Sequence, residues 1–193
     1  LFMEEREANI TIFIDTSASM DYGKPSKGVL AKKLTAVFAY MALANYERVG
    51  IAALNETITD QYPYFSGKAG FYKTLEFIDN LPFSVKTSLN KSIPEFAPLR
   101  DRKGISIILS DFLASDGYLE AFKYLMYEQQ DIIAIQILAP EELNPSFAGS
   151  LRLIDLETGD KVEVEMTTRT LNMYHKALHS YMEEFKSNCS NLD

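Results

Sequence analysis

Ile10-Thr11-Ile12-Phe13-Ile14-Asp15-Thr16-Ser17-Ala18-Ser19 is an apolar, mostly β-branched run that stops on an acid and passes into an Asp-x-Ser-x-Ser set. The run reads as a buried strand, and the acid with its two hydroxyls stands where the chain leaves the sheet. One carboxylate and two hydroxyls spaced by two residues can turn toward a single point, and hard oxygens of this kind are what Mg2+ takes as ligands. A second acid in the same situation is Asp111, after Ile105-Ser106-Ile107-Ile108-Leu109-Ser110, and a Thr87-Ser88 pair stands at a helix start between the two. Three oxygen-rich loops then fall at one edge of one sheet.

Outward from this stretch, short β-branched runs alternate with longer amphipathic segments. That alternation marks βα units around a doubly wound, mostly parallel sheet with helices on both faces, so the class is α/β. Strands are expected over residues 9–15, 49–54, 57–62, 105–110 and 131–138, the last read as a central strand from its run of Ile and Ala. The two-residue connection Asn55-Glu56 can join only antiparallel neighbours, so one strand runs backwards. Helices are expected over 27–46, with Leu30, Leu34, Val37, Phe38, Met41 and Leu43 near helical period, and over 71–80, 116–127 and 168–186. The last carries Leu171, Tyr174, Leu178, Tyr181 and Phe185 on one stripe. Thr87 or Ser88 caps a helix shortened or kinked by Pro94, and Gln61 to Phe71 reads as an aromatic loop, a lid over the sheet edge or, as the alternative, a partner surface. Leu151 to Leu156 and Lys161 to Met166 form a hairpin around Glu157-Thr158-Gly159-Asp160, where Gly159 supplies positive φ.

The chain has 193 residues, 47% of them hydrophobic, which suits one well-buried domain over 1–193. A first residue of Leu suggests a fragment of a longer protein lacking its N-terminal part. The net charge of -8 repels phosphate backbones and excludes nucleic acid as a natural partner. A lone Cys189 forms no internal disulfide, which fits a reducing compartment. No apolar stretch is long enough for a spanning helix, so no membrane insertion by this segment is expected. The chain is placed in the cytoplasm, or at the cytoplasmic face of a membrane if a missing part carries an anchor.

Other readings of the same residues stand beside the metal site. Asp15 and Ser17, like Thr87 and Ser88, could cap the helices that follow, each satisfying orphan amides for about 1 kcal/mol. Among enzymes, a haloacid dehalogenase would need an acid where Ser17 stands, and neither a P-loop, a dinucleotide-binding Gly-x-Gly-x-x-Gly nor a Gly-x-Ser-x-Gly elbow occurs. His175 and His179 are one helical turn apart, but the zincin motif needs Glu where Lys176 stands. Metal-dependent phosphoester hydrolysis at Asp15 and Asp111 stays open as an alternative, as does a metal-free structural interaction domain. An ion held by few protein ligands keeps an open position for an acidic side chain of a partner, which points to binding rather than turnover.

Asp15-x-Ser17-x-Ser19, the downstream Thr87 and Ser110-Asp111 after a buried strand resemble the metal-ion-dependent adhesion site of von Willebrand factor A domains. The chain is most similar to a bacterial branch catalogued as the fifty-eighth domain of unknown function. Phe2-x-Glu4-Glu5-Arg6-Glu7, Arg48-Val49-Gly50, Leu109-Ser110-Asp111-Phe112 and Leu153-x-Asp155-x-Glu157-Thr158-Gly159 carry that likeness. The resemblance implies a Rossmann-like fold and a protein-binding module dependent on Mg2+, with Mn2+ or Ca2+ as substitutes. The carried-over metal set is Asp15, Ser17, Ser19, Thr87 and Asp111. It further implies no catalysis and an association with a MoxR-type AAA+ ATPase in the assembly or activation of other proteins.

Overall fold

The computed structural model describes residues 8–83, 86–96, 103–145, 149–154 and 161–191. The N-terminal Phe2 to Glu7 motif and the Gly159 turn lie outside the described residues. In chain order the elements are β1 (Asn9–Asp15), α1 (Lys27–Ala44), β2 (Arg48–Leu54), β3 (Ile58–Phe65), α2 (Phe71–Asn80), α3 (Leu89–Glu95), β4 (Gly104–Ser110), α4 (Leu119–Tyr127), β5 (Gln130–Gln136), α5 (Pro140–Leu143), β6 (Gly149–Ile154), β7 (Lys161–Met166) and α6 (Thr168–Ser190). Five strands form one sheet in the order β3-β2-β1-β4-β5, and β6 pairs with β7 as a separate antiparallel hairpin. β1 lies parallel to β2 and β4, and β4 parallel to β5, while β3 returns antiparallel along β2. The chain moves outward from β1 to β3, then crosses to the other side for β4 and β5. Strand order therefore reverses between β1 and β4, where doubly wound sheets open a crevice at their carboxyl ends.

Alternation along the strands builds a core on each face of the sheet. Ile12 and Ile14 of β1 join Val49, Ile51 and Ala53 of β2, Ile107 and Leu109 of β4, and the buried side of α1 and α2. Phe13 points the other way and meets Leu54, Ile108, Leu89, Phe96, Phe122 and Phe185, so α3, α4 and α6 cover that face. Every strand residue from Ile12 to Asp15 is fully buried. The two carboxylates at the strand exits are thus delivered by strands that end in the buried core.

Several expectations are corrected. α1 buries only part of its expected apolar stripe: Leu43 is buried and Leu34 and Phe38 pack against the core, but Leu30, Val37 and Met41 are 45%, 51% and 55% exposed, and the small residues Ala31, Thr35 and Ala39 are buried in their place. Small residues let the helix approach closely, and a Cβ on Gly28 would stand 2.3 Å from the Phe83 ring. β5 is an edge strand and not a central one, and it begins at Gln130. β3 reaches Phe65, so Pro63 and Tyr64 belong to the strand and not to a loop, and Tyr62 packs on Phe65 and Phe77. α4 starts only at Leu119, because Asp116 is taken by α3: its carboxylate accepts the Ser88 hydroxyl and its carbonyl accepts Asn90 Nδ2 at 2.6 Å. α1 ends at Ala44, before Tyr46 at φ 63.

Candidate metal centre

Asp15 closes β1 opposite Leu54 of β2, with β4 on its other side. Both of its oxygens are used by the fold. Oδ1 accepts the Ser17 amide at 2.9 Å, closing a tight turn at the strand exit, and Oδ2 accepts the hydroxyl of Ser110 at the end of β4. Burial, and next the charge of Asp111, push its carboxyl from an ordinary 3.8 up to about 6, against the lowering effect of these hydrogen bonds. At neutral pH the folded protein therefore holds a desolvated carboxylate beside a second one.

Ser17 sits where a cap would sit, ahead of the 3-10 turn Ala18–Asp21, but its side chain caps nothing. Its hydroxyl instead meets the Ser19 hydroxyl at 3.0 Å, and Ser19 Oγ donates to Asp111 Oδ2 at 3.1 Å. α1 has a cap of its own in Ser26, whose Oγ accepts the Val29 amide at 3.4 Å. The capping alternative thus fails for Ser17 and holds for Ser88, which accepts the Lys91 amide at 3.3 Å. Thr87 is buried, and its hydroxyl reaches the Leu54 carbonyl at 3.5 Å, while the Ser88 amide donates to the Asn55 carbonyl. These contacts place Thr87 at the β2 exit, against Leu54, the residue paired with Asp15 across the sheet.

Asp111 is positioned by a strained turn. Phe112 holds φ at 60, a left-handed conformation that costs a non-glycine residue about 1–2 kcal/mol. Its buried ring is clamped by Phe185 at 4.6 Å, Tyr118 at 5.6 Å and Phe122 at 6.0 Å, and its carbonyl accepts the Tyr181 hydroxyl of α6. Asp111 Oδ1 accepts the Leu113 amide at 3.0 Å, and Gln136 Nε2 donates to its carbonyl at 3.2 Å. The remaining oxygen, Oδ2, faces Ser19.

Sequence reasoning missed two residues here. Lys27, the first residue of α1, is buried, and its Nζ lies 2.7 Å from Asp111 Oδ2 and 2.6 Å from Glu142 Oε1. Glu142 in turn accepts the Ala139 amide through its other oxygen at 2.7 Å. Burial pulls the Lys27 ammonium down, but Asp111 and Glu142 outweigh it and hold it above its ordinary 10.5. No local signal finds this pair, because a lysine opening a helix reads as a solvated end. Three carboxyl groups, Asp15, Asp111 and Glu142, thus stand around one ammonium, with Lys27, between Asp111 and Glu142, as the counter-charge.

That donor chemistry fits a divalent ion. Among the described residues no three His, Cys, Asp or Glu side chains are grouped so as to hold a metal ion by themselves, and the oxygens gathered at the β1 exit are hydroxyls with the carboxyls of Asp15 and Asp111. Hard, largely neutral oxygens with a few charges suit Mg2+, which keeps part of its water shell. The pocket of about 340 Å3 beside β3 and α2, lined by Asp60, Lys73, Glu76 and Phe77 among others, shares none of these residues.

A sheet in this order, with oxygen-rich loops at the exits of β1 and β4 and helices on both faces, makes this a doubly wound α/β domain. The chain belongs to the DUF58 family of proteins of unknown function, whose family model matches residues 1–184. It is similar to uncharacterized proteins of Mycobacterium bovis and Mycobacterium tuberculosis, each 24% identical over 160 residues that cover 80% of this chain and 50% of the relative. The chain spans about half the length of the curated relatives it matches. Among solved structures it is similar to the conserved hypothetical protein BatB from Bacteroides thetaiotaomicron, with a TM-score of 0.56, 15% identity, and 96% and 98% of the two chains covered. It is also similar to an aerotolerance-related membrane protein from Bacteroides fragilis, with a TM-score of 0.54, 17% identity, and 88% and 87% covered. At such identities the likeness shows the fold alone.

Proposed function

We propose that this chain is a Mg2+-dependent protein-binding module in which the ion takes an acidic side chain from a partner. Ser17, Ser19 and Thr87 hydroxyls would hold the ion, with Asp15 and Asp111 bound directly or through water, and Mn2+ or Ca2+ as substitutes. The observation that carries the reading is the run of oxygens from Ser17 through Ser19 to Asp111 Oδ2, beside the buried Asp15. Bound there, the ion supplies a Lewis-acidic position for a carboxylate. The chain's own part is to fix the hydroxyls on rigid strand exits and to exclude water from the carboxylates beneath them. The groups that hydrogen-bond to Asp15 and Asp111 are hydroxyls, amides and Lys27, none of them a general base, which favours binding over hydrolysis.

The family resemblance supports a MoxR-type AAA+ ATPase as working partner, in the assembly or activation of other proteins. Among the described residues no helix is long and apolar enough to cross a membrane. One similar structure is described as a membrane protein, so we place this domain in the cytoplasm or at the cytoplasmic face of a membrane. Equilibrium binding of Mn2+, read by its paramagnetic resonance signal, tests the site. One ion per chain is expected in the wild type and none in Asp15→Ala with its fold retained; equal binding by the two proteins would refute the assignment.

A further inference from the structure

Resting on the metal-site reading above, we propose that Lys27 is a built-in competitor of the divalent ion, and that Glu142 sets its strength by drawing the ammonium away from Asp111. The Lys27 Nζ occupies the one Asp111 oxygen that faces Ser19, at 2.7 Å, where Ser19 also donates at 3.1 Å. The ammonium and a cation beside Ser19 therefore share one acceptor. A unit positive charge fixed a few ångströms from a divalent ion in a buried setting weakens its binding, because neither charge is well screened there.

Glu142 is the other hand on the same ammonium, at 2.6 Å, and it belongs to a different part of the chain, 115 residues away. It is itself held: its Oε2 accepts the Ala139 amide, and its carbonyl accepts the Tyr174 hydroxyl of α6 at 2.6 Å. The α5 turn and α6 thus fix where Glu142 stands, and Glu142 fixes how far Lys27 leans on Asp111. α6 touches the centre a second time through Tyr181 and the Phe112 carbonyl. A partner that moved α5 or α6 would change the affinity of the centre without touching a ligand. Lys27 and Glu142 are positioning residues in this account, and neither is a ligand.

The test measures Mn2+ affinity by paramagnetic resonance in wild type, Lys27→Met, Glu142→Gln and the double variant, with circular dichroism confirming the fold of each. Lys27→Met should bind about tenfold tighter than wild type. Glu142→Gln, leaving the ammonium on Asp111 alone, should bind several-fold weaker, and this loss should shrink in the Lys27→Met background because Glu142 acts through Lys27. The double variant removes both members of the pair, which is milder than stranding one buried charge, and keeps the test available if Lys27→Met fails to fold. It should then bind tighter than Glu142→Gln. Equal or weaker binding by folded Lys27→Met, or by the double variant relative to Glu142→Gln, would overturn the competition while leaving the metal site standing. No binding by any of the four would refute the metal centre, and this inference with it.

Discussion

Replacing Asp15 by Asn tests the electrostatics of the centre before any partner is known. The Asp15 carboxyl rises from 3.8 to about 6 on folding, because burial and the charge of Asp111 disfavour its ionised form. At 1.36 kcal/mol per decade of proton concentration, that shift is worth about 3 kcal/mol. The folded state binds the proton more tightly than the unfolded chain, so this stability is fully present below pH 3.8 and is lost as pH rises through about 6. Asn keeps an acceptor for the Ser17 amide but carries no charge at any pH. In EDTA, Asp15→Asn should therefore be more stable than wild type above pH 7 by up to about 3 kcal/mol, with the difference closing below pH 4. For a chain of this length that amounts to roughly 6–12 °C in the midpoint of thermal unfolding. Denaturant unfolding of the two proteins between pH 4 and 8 reads the difference directly, other titrating groups cancelling. Parallel curves across that range would refute the account of Asp15 as a strained carboxylate awaiting a cation.

Other substitutions separate ligands from scaffold. Ser17→Ala, which removes a hydroxyl that caps nothing, should abolish Mn2+ binding while changing stability in EDTA by less than about 1 kcal/mol in denaturant unfolding. Asp111→Ala should lose the ion and also cost about 1–3 kcal/mol, because it takes a partner from the buried Lys27 and an acceptor from the Leu113 amide. On α1, Met41→Lys should stay within about 0.5 kcal/mol of wild type, whereas Ala39→Leu should cost about 1–3 kcal/mol by overpacking against the sheet, both read by chemical denaturation.

The strands and the gathering of oxygen-bearing side chains at their exits were legible because their signals are local. Ile10 to Ile14 and Ile105 to Leu109 are runs that only a doubly covered sheet can bury, and a connection as short as Asn55-Glu56-Thr57 settles the direction of β3. Asp15, Ser17, Ser19 and Asp111 stand immediately after such runs, so the fold that buries the strands gathers the oxygens. The exposed side of α1 was not legible, since pattern reading assigns large apolar residues inward, whereas here Ala31, Thr35 and Ala39 are inside and Leu30, Val37 and Met41 outside. Edge or central position was likewise hidden for β5, because Ile132 and Ile133 look the same in both. Lys27 and Glu142 meet across 115 residues, with nothing in either neighbourhood to announce the pairing.

The central claim is that a divalent cation completes this centre, and thermal unfolding in EDTA and then in rising Mg2+, with wild type and Asp15→Ala run in parallel, tests it most directly. A ligand bound only by the folded state must stabilise it, by about 2.7 kcal/mol at a hundred times its dissociation constant. The account predicts a concentration-dependent rise in the wild-type midpoint that is missing from folded Asp15→Ala; a wild-type midpoint unmoved by Mg2+, or an equal rise in both proteins, would contradict it.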